Sequence, residues 1–417
     1  MEKSPNFSQT NAPTATVAQR YHDLDALRAF AMLLGIVLHG ALSFFPMPIW
    51  PAQDLHQPEV EVPALLAASL EQAGLEVPET YSPYEFMLHA IHGFRLPLFF
   101  LVSGFFTAML WRKRGLRQLA KHRTKRILLP LAIFVPLTWI LMIVVGMEAF
   151  VVPAGHFGEN GEESSHEVPA GLIGLIFFAP VFHHLWFLYY LIWLVAGFIL
   201  IMWSIGKLKL KALPDRLVTS PVCWLWLLPA TFLPQLLMKK DFGPATATGA
   251  LPWPPILVYY VVFFFFGALC FGRDWFNTKA GKLWPLSFVL AVPPLLAGLC
   301  LVKSQQNDEL LAACSVAYAW LMILGCIGFF RYFFSGENPR IRYLSDASYW
   351  LYIMHLSVIM CLQSMVSTWN IPSLPKFLIV CVATTVPLLL IYEFGVRYTF
   401  IGTMLNGRRT RTLVTDT

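Results

Sequence analysis

The first apolar stretch of the chain carries ionisable side chains at a helical spacing. It reads DLDALRAFAMLLGIVLHGALSFF and contains Asp25, Arg28 and His39. Eleven residues of α-helix advance the chain by about 16 Å and return it to within about 20° of its starting direction. Arg28 and His39 therefore share one face, and a single ligand can contact both. The alternative is structural: Arg28 snorkels to the inner membrane surface and pairs with Asp25, while His39 is a hydrogen-bonded core residue.

A second apolar stretch, FRLPLFFLVSGFF, contains Arg95, followed by Ser103 and Gly104. A charged side chain inside a membrane span costs a few kcal/mol or more unless it pairs with another group or meets water, so it is a functional candidate by default. Arg95 is therefore expected to have a buried carboxylate or a polar ligand as its partner. The Ser-Gly pair, taken alone, more often marks a point where two helices pack closely.

Two arginines stand at the start of the third apolar stretch, in the segment KHRTKRILLP. Arg123 and Arg126 are three residues apart and so share one helical face. Two guanidinium groups at a water boundary can bind phosphate oxygens in a bidentate manner. The alternative is that the whole basic run serves only to hold its loop on the cytoplasmic side.

Further candidates occur in the later apolar stretches. The segment HHLWFLYY places His184 and Trp186 at interface depth, although an aromatic belt alone accounts for a tryptophan there. The segment YWLYIMH puts Tyr352 and His355 on one helical face, and Glu393 lies near the end of the last apolar stretch. Each of these residues, taken singly, is more often structural than catalytic.

The composition argues against a water-soluble domain. Hydrophobic residues make up 57% of the chain and charged residues only 13%, whereas an ordinary soluble domain carries about twice that charge. The seven cysteines are odd in number and lack the paired spacing of metal ligands, so we expect small core residues without disulfides or zinc. We predict a protein surrounded by membrane lipid, with no bound metal and no nucleic-acid partner.

Apolar runs near the length that crosses a bilayer recur along the whole chain. They predict an all-α, polytopic integral membrane protein. Residues 1–22 are expected to be disordered, residues 23–398 to form one transmembrane domain, and residues 399–417 to form a tail. The predicted transmembrane helices number about ten, at residues 24–45, 86–111, 127–147, 185–204, 221–238, 256–272, 283–302, 309–330, 349–369 and 376–395.

The distribution of lysine and arginine predicts the orientation, because positively charged loops stay on the cytoplasmic side. Residues 46–94 contain no Lys or Arg and lie outside, and a segment within them, VEVPALLAASLEQAGL, has the spacing of a small amphipathic helix. Residues 112–126 are strongly basic and lie inside, whereas residues 127–206 again lack Lys and Arg. We therefore expect both termini in the cytoplasm and a multi-pass protein of the cell (inner) membrane.

Together, these motifs resemble the membrane acyltransferase 3 family. The family pattern of Arg or Lys, ten residues and then His matches Arg28 and His39, and its Ser-Gly-Phe matches the segment that begins at Ser103. Its Arg-x-x-Arg matches Arg123 and Arg126, and the HLWFL and YxxH segments are similar to later spans of the family. The resemblance covers nearly the whole chain, and the spaced combination is far more specific than any one motif.

The resemblance implies an O-acyltransferase that takes an acyl group, acetyl or succinyl, from cytoplasmic acyl-CoA. The acceptor is a hydroxyl on an extracytoplasmic carbohydrate or glycolipid, and no cofactor is bound permanently. Three arginines would bind the anionic nucleotide: Arg28, which is also placed in the catalytic pair, with Arg123 and Arg126. His39 would be the general base, a role that suits an imidazole.

The same resemblance assigns roles to the remaining candidates. Four residues would orient the acceptor or stabilise oxyanion charge: Arg95, Ser103, His184 and Trp186. A supporting role is assigned to Asp25, Tyr352, His355 and Glu393.

Two other classes of protein compete with the enzyme. Intramembrane charges also mark the pathways of a glycan or lipid transporter or flippase, although no inverted repeat is visible in the sequence. A purely structural membrane scaffold would not explain why ionisable residues such as Arg28, His39 and Arg95 lie within the spans. Labelled acyl-CoA separates the classes, because only the enzyme leaves acyl label on a glycan or lipid product.

Overall fold

The computed structural model describes residues 21–46, 50, 52–144, 176–177, 179–209, 214–238 and 241–409. Within these residues the chain is almost wholly helical, and its one sheet is a short antiparallel ribbon in which Val60–Glu61 (β1) pairs with Thr80–Tyr81 (β2). The all-α prediction is confirmed for the part of the chain described.

The α-helices follow one another along the chain with short connections. They are α1 (His22–Ala41), α2 (Ala64–Gln72), α3 (Pro83–Arg123), α4 (Leu129–Val144), α5 (Trp186–Leu208), α6 (Trp224–Leu237), α7 (Pro254–Cys270), α8 (Asp274–Thr278), α9 (Trp284–Ser304), α10 (Asp308–Phe334), α11 (Pro339–Val366), α12 (Ser373–Ile391) and α13 (Phe400–Asn406). Helix α2 is the short helix expected in the first external loop.

The basic loop between the second and third predicted spans is mostly helical, with one interruption. Helix α3 is kinked at Gly115, whose φ of 76° is a conformation that glycine adopts without the steric cost of a Cβ. A π-helical turn, Thr124–Leu128, then leads directly into α4. Arg123 is the last residue of α3, and Arg126 lies within the π-helical turn.

Seven helical segments in the described part of the chain are long and apolar enough to cross a membrane. One of them, Pro83–Val144, contains both α3 and α4, while α6 and α7 are apolar but shorter. Every span predicted from the sequence overlaps a helix. A multi-pass membrane protein is thus supported, whereas the count of ten and the cytoplasmic position of the termini stay predictions.

Large apolar side chains cover the periphery of the helical bundle. Ile140 and Val144 of α4, Val289 of α9 and Val382 of α12 are each at least half exposed. An exposed apolar belt of this kind suits contact with lipid chains rather than water. The seven cysteines are all free and are buried or half-buried, as the sequence predicted.

The core of the bundle forms around α1 and α3. Helix α1 packs against α3, α10, α11 and α12, and α3 packs along α7. At the α3–α7 contact, a Cβ added to Gly104 would lie 1.8 Å from the carbonyl oxygen of Phe264, and one on Gly267 would lie 1.9 Å from that of Leu101. Gly104 is therefore explained by close helix packing.

Each end of the chain lies partly outside the described residues. Residues 1–20, for which disorder was predicted, lie outside the described residues, and α1 begins at His22. The region predicted as a tail contains α13. The side-chain amide of Asn406 in α13 donates to the carbonyl of Asp346 in α11 at 2.6 Å. This part of the predicted tail is therefore packed on the bundle.

Candidate active site

His39 lies at the end of α1 in a hydrogen-bonded pair with His355 of α11. His355 Nδ1 is 2.7 Å from the carbonyl oxygen of Tyr352 and 3.1 Å from that of Leu351. A nitrogen that faces two carbonyls carries the proton, so in a neutral His355 the Nε2 atom accepts. His39 Nδ1 lies 3.1 Å from that Nε2 and 2.7 Å from the carbonyl oxygen of Gly35.

These contacts assign the tautomer of His39. Because both neighbours of its Nδ1 are acceptors, Nδ1 carries the proton, and the lone pair is left on Nε2. No group among the described residues hydrogen-bonds His39 Nε2. The pair with His355 thus fixes the ring and leaves one basic nitrogen available to a substrate.

His184 completes a group of three rings that we call the histidine cluster (His39, His184 and His355). The ring centroid of His184 lies 5.0 Å from that of His355 and 6.5 Å from that of His39. Its Nε2 is 3.0 Å from the carbonyl oxygen of Ile353, and the Tyr352 hydroxyl donates to the His184 carbonyl at 2.6 Å. His184 Nδ1 is buried without a partner among the described residues.

Arg95 of α3 lies beside this cluster, in the space that the missing side chain of Gly35 leaves open. A Cβ added to Gly35 would lie 2.6 Å from Arg95 Nη1 and 3.6 Å from His355 Nε2. The sequence predicts either a carboxylate or a polar ligand beside Arg95. No carboxylate in the described residues forms an ion pair with it, and its buried Nε has no partner there. The polar ligand beside Arg95 stays a prediction.

Two further residues enclose His39, and the sequence reasoning missed both. The Trp50 indole stacks beside the His39 ring with centroids 6.4 Å apart, and its N–H donates to Gln363 at 2.9 Å. Gln363 in turn donates to the carbonyls of His39 and Gly40, each at 3.0 Å. The available signal was Gln363 itself, an amide in the predicted span at residues 349–369.

The predicted nucleotide-binding arginines lie away from the histidine cluster, with Arg28 about three helical turns before His39 on α1. Arg28 pairs with Asp25 at 3.5 Å and lies over the ring of Phe106. Arg123 donates to the Thr107 hydroxyl at 2.7 Å, and its buried Nε has no partner among the described residues. The charge of Arg123 is thus not neutralised by a bound carboxylate in this part of the chain.

Arg126 is placed by contacts with α11 and with the end of α13. Its carbonyl accepts from the Tyr349 hydroxyl at 2.8 Å, and a Cβ added to Gly407 would lie 2.5 Å from its Nη2. Arg409, two residues after Gly407, pairs with Asp346 at 2.5 Å. The sequence reasoning assigned the last basic stretch only to topology, so Arg409 was missed.

These four arginines form what we call the arginine cluster: Arg28, Arg123, Arg126 and Arg409. Each of the first three lies within electrostatic range of another member. Asp25 and Asp346 are the carboxylates that pair with members of the cluster among the described residues. The cluster therefore keeps a net positive charge and suits a polyanionic ligand.

Helices α1, α3 and α11 each reach from the histidine cluster to the arginine cluster. Helix α1 holds Arg28 and His39, and Arg95 and the Thr107 partner of Arg123 are both on α3. Helix α11 supplies His355 and, six residues earlier, Tyr349, whose hydroxyl donates to the Arg126 carbonyl. Arg28 and His39 are about 16 Å apart along α1, so a ligand that contacts both clusters has to be extended.

Three predicted site residues are not joined to either cluster by a contact in the described residues. Ser103 is buried about 12 Å along α3 from Arg95, between the two clusters. Trp186 packs against Tyr190 and Tyr260, with centroids 5.2 and 6.1 Å apart.

Glu393, the third of them, pairs with Arg397 at 2.7 Å within one helical turn. The roles assigned to Ser103, Trp186 and Glu393 stay predictions. A metal site finds no support either, because no group of His, Cys, Asp or Glu in the described residues is arranged to hold an ion.

Comparison with known proteins places the chain among acyltransferases. A family model described as an acyltransferase domain matches residues 21–393. Glucans biosynthesis protein C of Escherichia coli strain SMS-3-5 / SECEC is 23% identical over 369 residues, which cover 81% of this chain and 82% of the relative. The protein of the same name from E. coli O139:H28 is similar to the same extent. No solved structure matches. The chain belongs to the acyltransferase 3 family and is a multi-pass membrane acyltransferase.

Proposed function

We propose that this protein transfers an acyl group, acetyl or succinyl, from cytoplasmic acyl-CoA to a hydroxyl of an extracytoplasmic glycan or glycolipid. A glycan acceptor is proposed because the similar E. coli proteins are named for glucans. The observation that carries the proposal is Arg95, a guanidinium without a carboxylate partner in the described residues, held against the paired imidazoles of His39 and His355.

In the proposed reaction, His39 is the general base. Its free Nε2 takes the proton of the acceptor hydroxyl as the hydroxyl oxygen attacks the thioester carbonyl. The new C–O bond forms, the C–S bond breaks, and the proton passes from His39 to the thiolate of CoA. The proton taken from the hydroxyl ends on the CoA sulfur and no oxidation state changes, so the reaction needs no further reactant.

Arg95 and His355 are placed to support this step. Arg95 offers donors beside His39, where negative charge develops on the carbonyl oxygen during attack. His355 Nε2 accepts a hydrogen bond from the Nδ1–H of His39, and this bond holds the His39 ring with its Nε2 free. Because His355 is itself fixed by the carbonyls of Tyr352 and Leu351, the orientation does not depend on the substrate.

The arginine cluster supplies the donor site in this proposal. The nucleotide of acyl-CoA carries several phosphate charges, and forked guanidinium groups suit them. With the phosphates at the arginine cluster, the pantetheine arm has to span the roughly 16 Å of α1 that separates Arg28 from His39. This requires a long, thin donor and is consistent with acyl-CoA.

The test uses purified protein in lipid nanodiscs with radiolabelled acetyl-CoA or succinyl-CoA and a gluco-oligosaccharide acceptor. We expect acyl label on the oligosaccharide, located by mass spectrometry. His39→Gln keeps a hydrogen-bonding side chain of similar length, and it should lower turnover by about a hundredfold or more while the melting temperature is retained.

The matched control is His22→Gln, the same change at the start of α1 and outside the histidine cluster. It should leave both turnover and melting temperature unchanged. Wild-type turnover in His39→Gln would end the general-base assignment. Movement of oligosaccharide or lipid across the membrane with no covalent label would instead favour the transporter or flippase.

A further inference from the structure

A surface groove is lined by residues that follow, along the chain, the two segments that contact His39. It has a volume of about 640 Å³, within the range of ligand sites. One wall is formed by residues 55–58, which precede β1, and the other by residues 370–373, where α12 begins. Neither wall contributes a residue to the chemistry described above.

Both walls are continuations of the segments that enclose His39. The first wall follows Trp50, whose indole stacks beside the His39 ring. The second wall follows α11, whose Gln363 donates to the His39 carbonyl. The Leu55 N–H donates to the carbonyl of Ser367, one helical turn beyond Gln363, so the groove lies beside the segments that enclose His39.

A buried ion pair fixes the two walls against each other. The Lys376 ammonium donates to both carboxylate oxygens of Asp54 at 2.9 Å and to the Ser367 carbonyl at 3.2 Å. The side chains of Lys376 and Asp54 are 0% and 1% exposed. The backbone N–H of His56 also donates to Asp54 at 2.8 Å. The groove is thus preformed, which reduces the entropy lost when a ligand binds.

The lining of the groove combines apolar surface with uncharged polar groups and carries neither Lys or Arg nor Asp or Glu. Its polar side chains are an imidazole, two amides and a hydroxyl: His56, Gln57, Asn370 and Ser373. Leu55, Pro58, Ile371 and Pro372 supply apolar surface between them. Phosphates and carboxylates are recognised by Arg and Lys. This lining suits a neutral ligand with many hydroxyls and apolar C–H faces, as a carbohydrate has.

We infer that this groove binds the sugar residues of a neutral oligosaccharide acceptor that extend beyond the residue being acylated. The inference rests on the proposed function, since it assigns the remainder of the acceptor to a second site. A long acceptor then contacts the groove and His39 together, whereas a monosaccharide contacts only the region of His39. The groove therefore contributes to KM for long acceptors and not to turnover.

The first test measures acceptor KM and kcat for gluco-oligosaccharides of increasing length. Gln57 and Asn370 are exposed, so Gln57→Ala and Asn370→Ala remove amides without opening the core. Each should raise KM for the long acceptors by about fivefold, the effect of one lost hydrogen bond. KM for glucose and all kcat values should stay unchanged. Gln72→Ala on α2, also an exposed amide, is the matched control.

The second test does not require acyl transfer. Leu55 lines the groove and is 74% exposed, so Leu55→Cys offers a thiol to a maleimide reagent while the native cysteines are buried or half-buried. A long gluco-oligosaccharide should slow the labelling severalfold, and glucose at equal concentration should not. Equal labelling rates with both sugars, or equal KM changes for all acceptor lengths, would overturn the inference. Slowed labelling without any acyl transfer would retain the groove and reject the proposed function.

Discussion

We expect Gly35→Ala to reduce acyl transfer without destabilising the protein. Gly35 lies inside α1, and its hydrogen atoms face the guanidinium of Arg95. An added Cβ would lie 2.6 Å from Arg95 Nη1 but 3.6 Å from His355 Nε2. The second distance is an ordinary contact, so the substitution acts on Arg95 and leaves the pair of His355 with His39 in place.

The size of the effect follows from these distances. Non-bonded atoms rest at about 3.5 Å, so Arg95 Nη1 has to move by roughly 1 Å from its present position. The guanidinium is the end of a flexible side chain, and this movement costs little free energy of folding. A displacement of about 1 Å at a reacting centre can lower turnover by about a hundredfold, which is about 2.7 kcal/mol. In the helix itself, alanine is favoured over glycine by up to about 1 kcal/mol.

The assay compares kcat and melting temperature for purified wild type and variant in the same nanodiscs. Gly197→Ala in α5 is the matched control, because a Cβ added there meets no atom within 4 Å. Both variants should melt at or slightly above the wild-type temperature, and only Gly35→Ala should lose turnover. Wild-type kcat in Gly35→Ala would refute the role of Arg95 at the reacting centre. A lower melting temperature together with lower kcat would instead mean that Gly35 is needed for packing.

Three other predictions concern the donor site, the buried ion pair and the topology. Arg126→Lys keeps the charge but loses the guanidinium fork, so KM for acyl-CoA should rise by roughly tenfold in initial-rate measurements; an unchanged KM would leave Arg126 only a topological role. Lys376→Met leaves the Asp54 carboxylate buried and unpaired, and denaturant unfolding should show a loss of about 3–5 kcal/mol; an unaltered midpoint would contradict this. In sealed cells, an impermeant thiol reagent should label Leu55→Cys and not Lys121→Cys, and the reverse pattern would invert the topology.

Much of the fold was readable from the sequence because each span is a local feature. Apolar runs of bilayer length predicted helices at all ten positions, and α2 was predicted from its spacing. Helical periodicity also placed Arg28 and His39 on one face of α1, since the rotation per residue is fixed by the backbone. The family resemblance, carried by these spacings, was confirmed by the match over residues 21–393.

The composition of the two clusters was decided only by helix packing. His39 and His355 are 316 residues apart in the chain, and they meet because α1 packs against α11. Periodicity specifies which residues share a face of one helix but not which helix that face meets. For the same reason the sequence left open whether Arg95 faces a carboxylate, and only the structure shows that no described carboxylate pairs with it.

The sequence by itself therefore determined the class of the protein, its helices and the residue types available for chemistry, because composition and periodicity act within single segments. The tertiary structure decided which of these residues meet. It brought Arg409 beside Arg126, placed Trp50 over His39 and directed the His39 lone pair to Nε2. The physical reason is that hydrogen bonds and charge contacts extend only a few Å, so their partners depend on the packing of distant helices.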